Sequence, residues 1–172
     1  MTHFTISVAD LLGRPGAYRD VSVSAPLGDV GTALARLDGP PVRLQGRLES
    51  VVEGILVTGA VTAPVALQCA RCLASVRSEV VAEVCEVFFA PGHDEAAEDD
   101  SYRVTGDEID AEALARDAIA LALPLAPLCR EECRGLCPNC GRELNDGPCD
   151  CRFEETDPRW APLEALRERL ER

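Results

Sequence analysis

The 172-residue chain contains no lysine, two histidines and no apolar stretch approaching the roughly 18 to 20 residues a membrane span requires. Each scarcity excludes something. Without such a run no transmembrane helix is expected. Met1 to Asp10 shows no basic leader followed by an apolar segment, so no signal peptide is expected either. The histidines, His3 and His93, accompany no cysteine pair and read as surface residues. An open catalytic zinc centre normally draws on histidine or carboxylate ligands and a nearby general base, so no hydrolase constellation is visible. No catalytic residues and no small-molecule substrate are expected. With lysine absent, all 17 basic residues are arginine, which suits phosphate recognition but identifies no function by itself.

Positive charge is also short overall. The net charge is −13, and 47% of residues are hydrophobic, the balance of a globular chain of one or two small domains. Much of the negative charge falls between residues 94 and 112, where Asp94, Glu95, Glu98, Asp99, Asp100, Asp107, Glu108, Asp110 and Glu112 face only Arg103. A solvated acidic loop is the expectation there. Such a chain is a poor general binder of nucleic acid, because phosphate affinity depends on neutralising cations. A local basic face is still compatible with it.

Cysteine, by contrast, is abundant and patterned. Eight of the nine fall in close pairs: Cys69/Cys72, Cys129/Cys133, Cys137/Cys140 and Cys149/Cys151. A disulfide framework belongs to short secreted chains, and neither the length nor the odd cysteine count fits one. The pairs instead provide thiolates for two four-coordinate sites. Zinc is the expected occupant, as one or two ions, because closed four-thiolate sites suit it and contribute folding energy. The ninth cysteine, Cys85, reads as a small buried hydrophobe in a strand.

Alternation and punctuation predict an α+β fold. Val21-Ser22-Val23-Ser24 has the period-two pattern of a half-buried strand. An antiparallel meander or partly open barrel follows, with strands at Val42 to Val51, Ile55 to Thr62, Pro64 to Cys69 and Ser75 to Phe88. A connecting loop at residues 90–106 closes this β domain, 1–106. Residues 107–127 then hold a helix from Asp110 to about Leu123 and its connection. Asp110 is the expected cap, Ile109 and Leu114 form a staple, and Leu114, Ala118 and Leu121 form the apolar stripe. Pro124 and Pro127 end the helix. The last unit, 128–172, is a cysteine-rich zinc-binding module with a short C-terminal helix, opened by Asp157-Pro158 and lined by Leu163, Leu166 and Leu170. That helix is expected to dock on the body, with presentation of Trp160 to a partner as the alternative.

Locality favours joining Cys137, Cys140, Cys149 and Cys151, because Gly141, Asn145-Asp146 and Gly147-Pro148 suit a compact turn between the halves. Cys69 and Cys72 would then meet Cys129 and Cys133 and fasten the module to the sheet. The competing ribbon joins Cys69/Cys72 to Cys137/Cys140. Clustered thiolates also allow a second class of function, a redox-responsive zinc protein regulating a partner. A rubredoxin-like iron site departs from the C-x-C second half.

The order of the motifs resembles a bacterial family, the YceD-like large ribosomal RNA subunit accumulation proteins. The matching residues are Cys69-Ala70-Arg71-Cys72-Leu73, Leu121-Ala122-Leu123-Pro124, the run from Leu128 to Gly141, Leu144-Asn145, Cys149-Asp150-Cys151 and Asp157-Pro158-Arg159. The resemblance implies a cytoplasmic, non-enzymatic factor in large-subunit (23S) ribosomal RNA accumulation, processing or ribosome biogenesis. Its partners would be a ribosomal RNA precursor or ribosome-assembly proteins. Arg71, Arg130, Arg134 and Arg142 lie beside the knuckles and would form a contact face if the metals gather them; the alternative is scattered surface arginines near Glu131, Glu132 and Glu143.

Overall fold

The computed structural model describes residues 4–39, 41–92 and 101–151, together with Leu163 and Leu166. The run from Asp94 to Asp100, both histidines, the Asp157-Pro158 cap, Trp160 and Leu170 lie outside the described residues. Leu163 and Leu166 are helical and about half-exposed.

In chain order the elements are β1 (Thr5–Ser7), β2 (Tyr18–Ala25), β3 (Ala35–Leu37), β4 (Val42–Ser50), β5 (Gly54–Gln68), β6 (Ser75–Phe89), β7 (Val104–Thr105), β8 (Glu108–Asp110) and α1 (Glu112–Ala122). Period-two patterning builds the larger sheet. Val42, Leu44 and Leu48 of β4 and Ile55, Val57, Val61, Ala63 and Val65 of β5 point into one core, while their neighbours look outward. β4, β5 and β6 form the antiparallel meander, and β2 adds to the far side of β4. Among the described residues no pairing joins β2 to β6, so the sheet stays open rather than closing as a barrel.

Strand β5 corrects one expectation: the strands expected on either side of Ala63 are one 15-residue strand. Pro64 is tolerated because β5 changes partner beside it. β4 pairs with Ile55 to Thr62 and β3 with Val65 to Leu67 on the same edge. The Pro64 carbonyl accepts from the Asp38 N–H, so the side lacking a donor faces this junction instead of a continuous ladder. Gly46 and Gly59 oppose each other across β4 and β5. A Cβ on Gly46 would collide with the Thr58 carbonyl, and one on Gly59 with the Gln45 carbonyl, so this crossing admits no side chain.

Helix α1 packs on β5 and β6 through Leu114, Ala115 and Ile119. Asp110 lies one residue before the structural cap, Ala111, yet its Oδ1 accepts the Glu112 N–H at 2.9 Å and caps the first turn as expected. Leu121 does not join the stripe and is 88% exposed. It lies two residues past buried Ile119, about 200° around the helix at 3.6 residues per turn, which turns it away from the core. Cys85 is likewise exposed: it alternates with buried Val84 and shares its outward face with Glu83.

Short strands escaped the sequence reading. β8 pairs with both β1 and β7, placing Ile6 opposite Ile109 inside the same core. The boundary expected at 106/107 therefore runs through a sheet, and β7 occupies part of the expected acidic loop. Tyr102 stacks on Phe88 with ring centroids 5.1 Å apart and donates to Asp117 Oδ2 at 2.7 Å, tying the segment to β6 and α1. No helix among the described residues is long and apolar enough to cross a membrane.

Candidate metal centres

Because β5 ends at Gln68 and its antiparallel partner β6 begins at Ser75, residues 69–74 must reverse the chain. They do so as a thiolate knuckle. The Cys69 N–H donates to the Ala74 carbonyl at 2.9 Å and the Leu73 N–H to the Cys69 carbonyl at 2.9 Å. The Cys137 turn repeats the pattern, with Cys137 N–H donating to Arg142 at 2.8 Å and Gly141 N–H to Cys137 at 2.8 Å. In both turns the residue after the second cysteine is left-handed, Leu73 at φ 62° and Gly141 at φ 72°. Glycine adopts this backbone without a Cβ penalty; Leu73 adopts it despite one and remains 51% exposed.

The second half of the first centre arrives from α1. Leu123 is extended ahead of Pro124, which ends the helix and sends the chain back toward the hairpin tip. There the Ala70 N–H donates to the Pro127 carbonyl at 2.7 Å and the Leu136 N–H to the Arg71 carbonyl at 3.1 Å. The Arg71 guanidinium donates through Nη1 to the carbonyls of Cys133 at 2.8 Å and Glu131 at 3.3 Å. Cys69, Cys72, Cys129 and Cys133 thereby converge, with all four Sγ atoms within 4.8 Å of one another.

Cys137, Cys140, Cys149 and Cys151 form a second group under the same limit. The ribbon joining Cys69/Cys72 to Cys137/Cys140 is not formed. Cys69, Cys72 and Cys133 are buried, whereas in the second group only Cys137 is buried, Cys140 is exposed, and Cys149 and Cys151 are half-buried.

The spacing fits a tetrahedral metal. Metal–sulfur bonds of about 2.3 Å place tetrahedral sulfurs about 3.8 Å apart. The Cys69–Cys133 and Cys72–Cys129 Sγ separations are 3.7 and 3.6 Å. All nine cysteines are free thiols.

The electrostatics also favour a cation. In the first group the Cys72 backbone N–H holds Cys69 down at about 6 against the effect of burial, and the Asn145 amide lowers Cys133. Burial and competing neighbouring sulfurs push Cys129 up to about 12. Cys72 is also raised: the Ala74 N–H favours its thiolate, but burial and the sulfurs of Cys69 and Cys133 outweigh it. In the second group the Cys140 and Asn139 N–H groups lower Cys137 to about 6, while the Cys140 sulfur and burial raise Cys151 to about 12. Four thiolates cannot be held together uncompensated. A divalent ion at the centre removes the opposition, so each group could hold one metal ion.

Of the four arginines expected to form a contact face, Arg71 is committed to the backbone carbonyls of Cys133 and Glu131 beside the first cysteine group. Arg130, Arg134 and Arg142 are exposed and form no side-chain hydrogen bond or ion pair among the described residues. Asn145 was legible only as a turn residue, yet its Nδ2 donates to Cys133 Sγ at 3.4 Å.

A family description of large ribosomal RNA subunit accumulation proteins, YceD, matches residues 57–167, a span that contains all eight paired cysteines. An uncharacterized Mycobacterium tuberculosis protein is 44% identical over 165 residues, covering 92% of this chain and 79% of that protein. The Bacillus subtilis protein YlbN is 27% identical over 127 residues, 73% of this chain and 74% of its own length. A chloroplastic YCED homolog from Arabidopsis thaliana, described as a large ribosomal RNA subunit accumulation protein, is 39% identical over 64 residues, 37% of this chain and 20% of that protein. No solved structure matches the chain.

Proposed function

This chain belongs to the YceD family of large ribosomal RNA subunit accumulation proteins, and we propose from that membership that it is a non-enzymatic, zinc-bound factor in large-subunit ribosomal RNA accumulation, processing or assembly. The observation that carries this reading is the extent of the family match, which spans the hairpin tip, the helix and both cysteine groups. Zinc is preferred among thiolate-binding metals because the sites are closed, four-coordinate and composed only of sulfur. At the first centre the ion would be held by Cys69, Cys72, Cys129 and Cys133, and at the second by Cys137, Cys140, Cys149 and Cys151. The ions supply folding energy and no reaction chemistry. They hold an irregular module against the end of β5 and β6 and fix the positions of its exposed arginines.

Arg130, Arg134 and Arg142 are the residues we assign to contact with a ribosomal RNA precursor or an assembly protein, acting in the cytoplasm. The test is sedimentation of the zinc-loaded protein with large-subunit precursor particles, comparing the parent with Arg130→Glu/Arg134→Glu/Arg142→Glu. The expected result is co-sedimentation of the parent and its loss in the variant at unchanged zinc content. Undiminished association of the variant would overturn the arginine assignment. Normal large-subunit ribosomal RNA in cells depleted of the protein would overturn the function.

A further inference from the structure

The two metal centres are joined by one short hairpin. Residues 133–137 run antiparallel to 142–145: Cys137 N–H donates to the Arg142 carbonyl at 2.8 Å, Leu136 bridges Glu143, and Leu144 N–H donates to the Gly135 carbonyl at 2.9 Å. The turn of this hairpin is the knuckle of the second centre. Its open end carries Arg134 opposite Asn145, with Cys133, a ligand of the first centre, the next residue along the strand.

The amide of Asn145 closes that end. Its Oδ1 accepts the Arg134 N–H at 2.9 Å, and its Nδ2 donates to Cys133 Sγ at 3.4 Å and to Glu143 Oε1 at 3.0 Å. The orientation follows from chemistry: a flipped amide would place its oxygen against a sulfur and a carboxylate, and its NH₂ against another N–H donor. Asparagine supplies one acceptor and two donors in the arrangement required. An aspartate of the same shape would keep the acceptor for Arg134 but turn a second anion toward the thiolate.

The geometry points to Asn145 as a positioning residue through which the ion at the Cys137 centre strengthens the hold of the Cys69 centre on its own ion. An ion at the second centre fixes the knuckle, and hence the register of the hairpin. That register keeps the amide N–H on Cys133, where it supports the thiolate that ligates the first ion. Removal of the second ion frees the 142–145 arm and withdraws this support. The two centres therefore load cooperatively, and the exposed centre governs how firmly the buried one retains its metal. Because Cys129 and Cys133 of the first centre and all four ligands of the second come from one continuous segment, a partner that disturbed the exposed centre would loosen the link between the module and the sheet.

This inference rests on the metal reading given above. The test is competitive titration of the full-length, zinc-loaded protein with a chromophoric chelator in four forms: the parent, Asn145→Asp, Cys149→Ser/Cys151→Ser, and the combination of the three changes. Cys69→Ser/Cys72→Ser identifies which zinc belongs to which centre. Loss of an outer hydrogen bond to a ligand weakens metal binding about 10- to 100-fold. Asn145→Asp is expected to weaken the first centre by that factor while both zincs still bind at saturation. Loss of the second centre should weaken the first comparably, and Asn145→Asp should add less than about threefold in that background, since the contact is already lost. Equal effects of Asn145→Asp with and without the second centre, or no effect in the parent, would overturn the coupling. Should the aspartate variant fail to fold, Asn145→Ala makes the same comparison without added charge. A parent that binds no zinc would overturn the metal reading itself.

Discussion

Replacing Arg71 should loosen the buried metal centre while leaving the β body folded. Arg71 lies between two knuckle cysteines, and its guanidinium reaches across to the carbonyls of Cys133 at 2.8 Å and Glu131 at 3.3 Å. A hydrogen bond from a charged donor contributes about 1.5–3 kcal/mol in buried settings. The Cys133 contact is only partly buried, and the Glu131 contact is exposed and long, so their sum is reduced to about 1.5 kcal/mol. Each 1.4 kcal/mol is tenfold in an equilibrium constant, so Arg71→Ala should weaken zinc at the Cys69 centre by about one order of magnitude. Lysine keeps the charge but lacks the planar fork, so Arg71→Lys should recover only part of this. The assay is chelator competition, with thermal unfolding as the fold control. Zinc affinity unchanged in Arg71→Ala would refute the assignment, as would an equal loss in Arg130→Ala, whose side chain makes no such contact.

Three further outcomes are expected. Leu73→Gly should alter stability by no more than about 1 kcal/mol, because relief of a left-handed backbone offsets lost side-chain burial and greater unfolded-chain freedom; Leu73→Val should destabilise by more, as thermal unfolding of the zinc-loaded protein would reveal. Zinc uptake at the Cys69 centre near neutral pH should release protons from at least Cys72 and Cys129, because both thiols are raised above their ordinary range. Affinity should therefore rise with pH, and calorimetry in buffers of different ionisation heat would detect a pH-independent affinity if this were wrong. Limiting peroxide should oxidise and empty the Cys137 centre first, since Cys140 is exposed and its counterparts around Cys69 are largely buried; mass spectrometry showing early modification of Cys69 or Cys72 would contradict that order.

Strong periodicity made the main sheet legible. Val42, Leu44 and Leu48, and the alternating residues of β5, announce one buried face, and the knuckle spacing marked the turn between β5 and β6. Pro64 misled because a proline removes one donor on one side of a strand, and the sequence does not say that the ladder on that side changes partner there. The three-residue strands β1 and β8 carry too few residues to display a period, and their pairing spans the chain from Ile6 to Ile109. Leu121 and Cys85 were misplaced for a related reason: residue type favours burial, but helical phase and strand parity decide which side faces the core.

At the metal centres, spacing favoured the two cysteine groups that the structure brings together, because the eight residues between Cys140 and Cys149 are rich in turn formers. The supporting roles of Arg71 and Asn145 were not legible in the same way. Each depends on a contact across the folded module: from Arg71 to the Cys133 carbonyl, and from Asn145 back to the Cys133 sulfur. A turn-forming asparagine and an exposed arginine look the same in sequence whether or not such a contact exists.

The most direct test is the metal content of the reduced, untagged protein by elemental analysis, alongside Cys149→Ser/Cys151→Ser and Cys69→Ser/Cys72→Ser under zinc saturation. Two closed four-thiolate centres predict two zinc ions per chain in the parent and one in each variant. A parent without metal, or a variant that keeps both ions, would contradict the account.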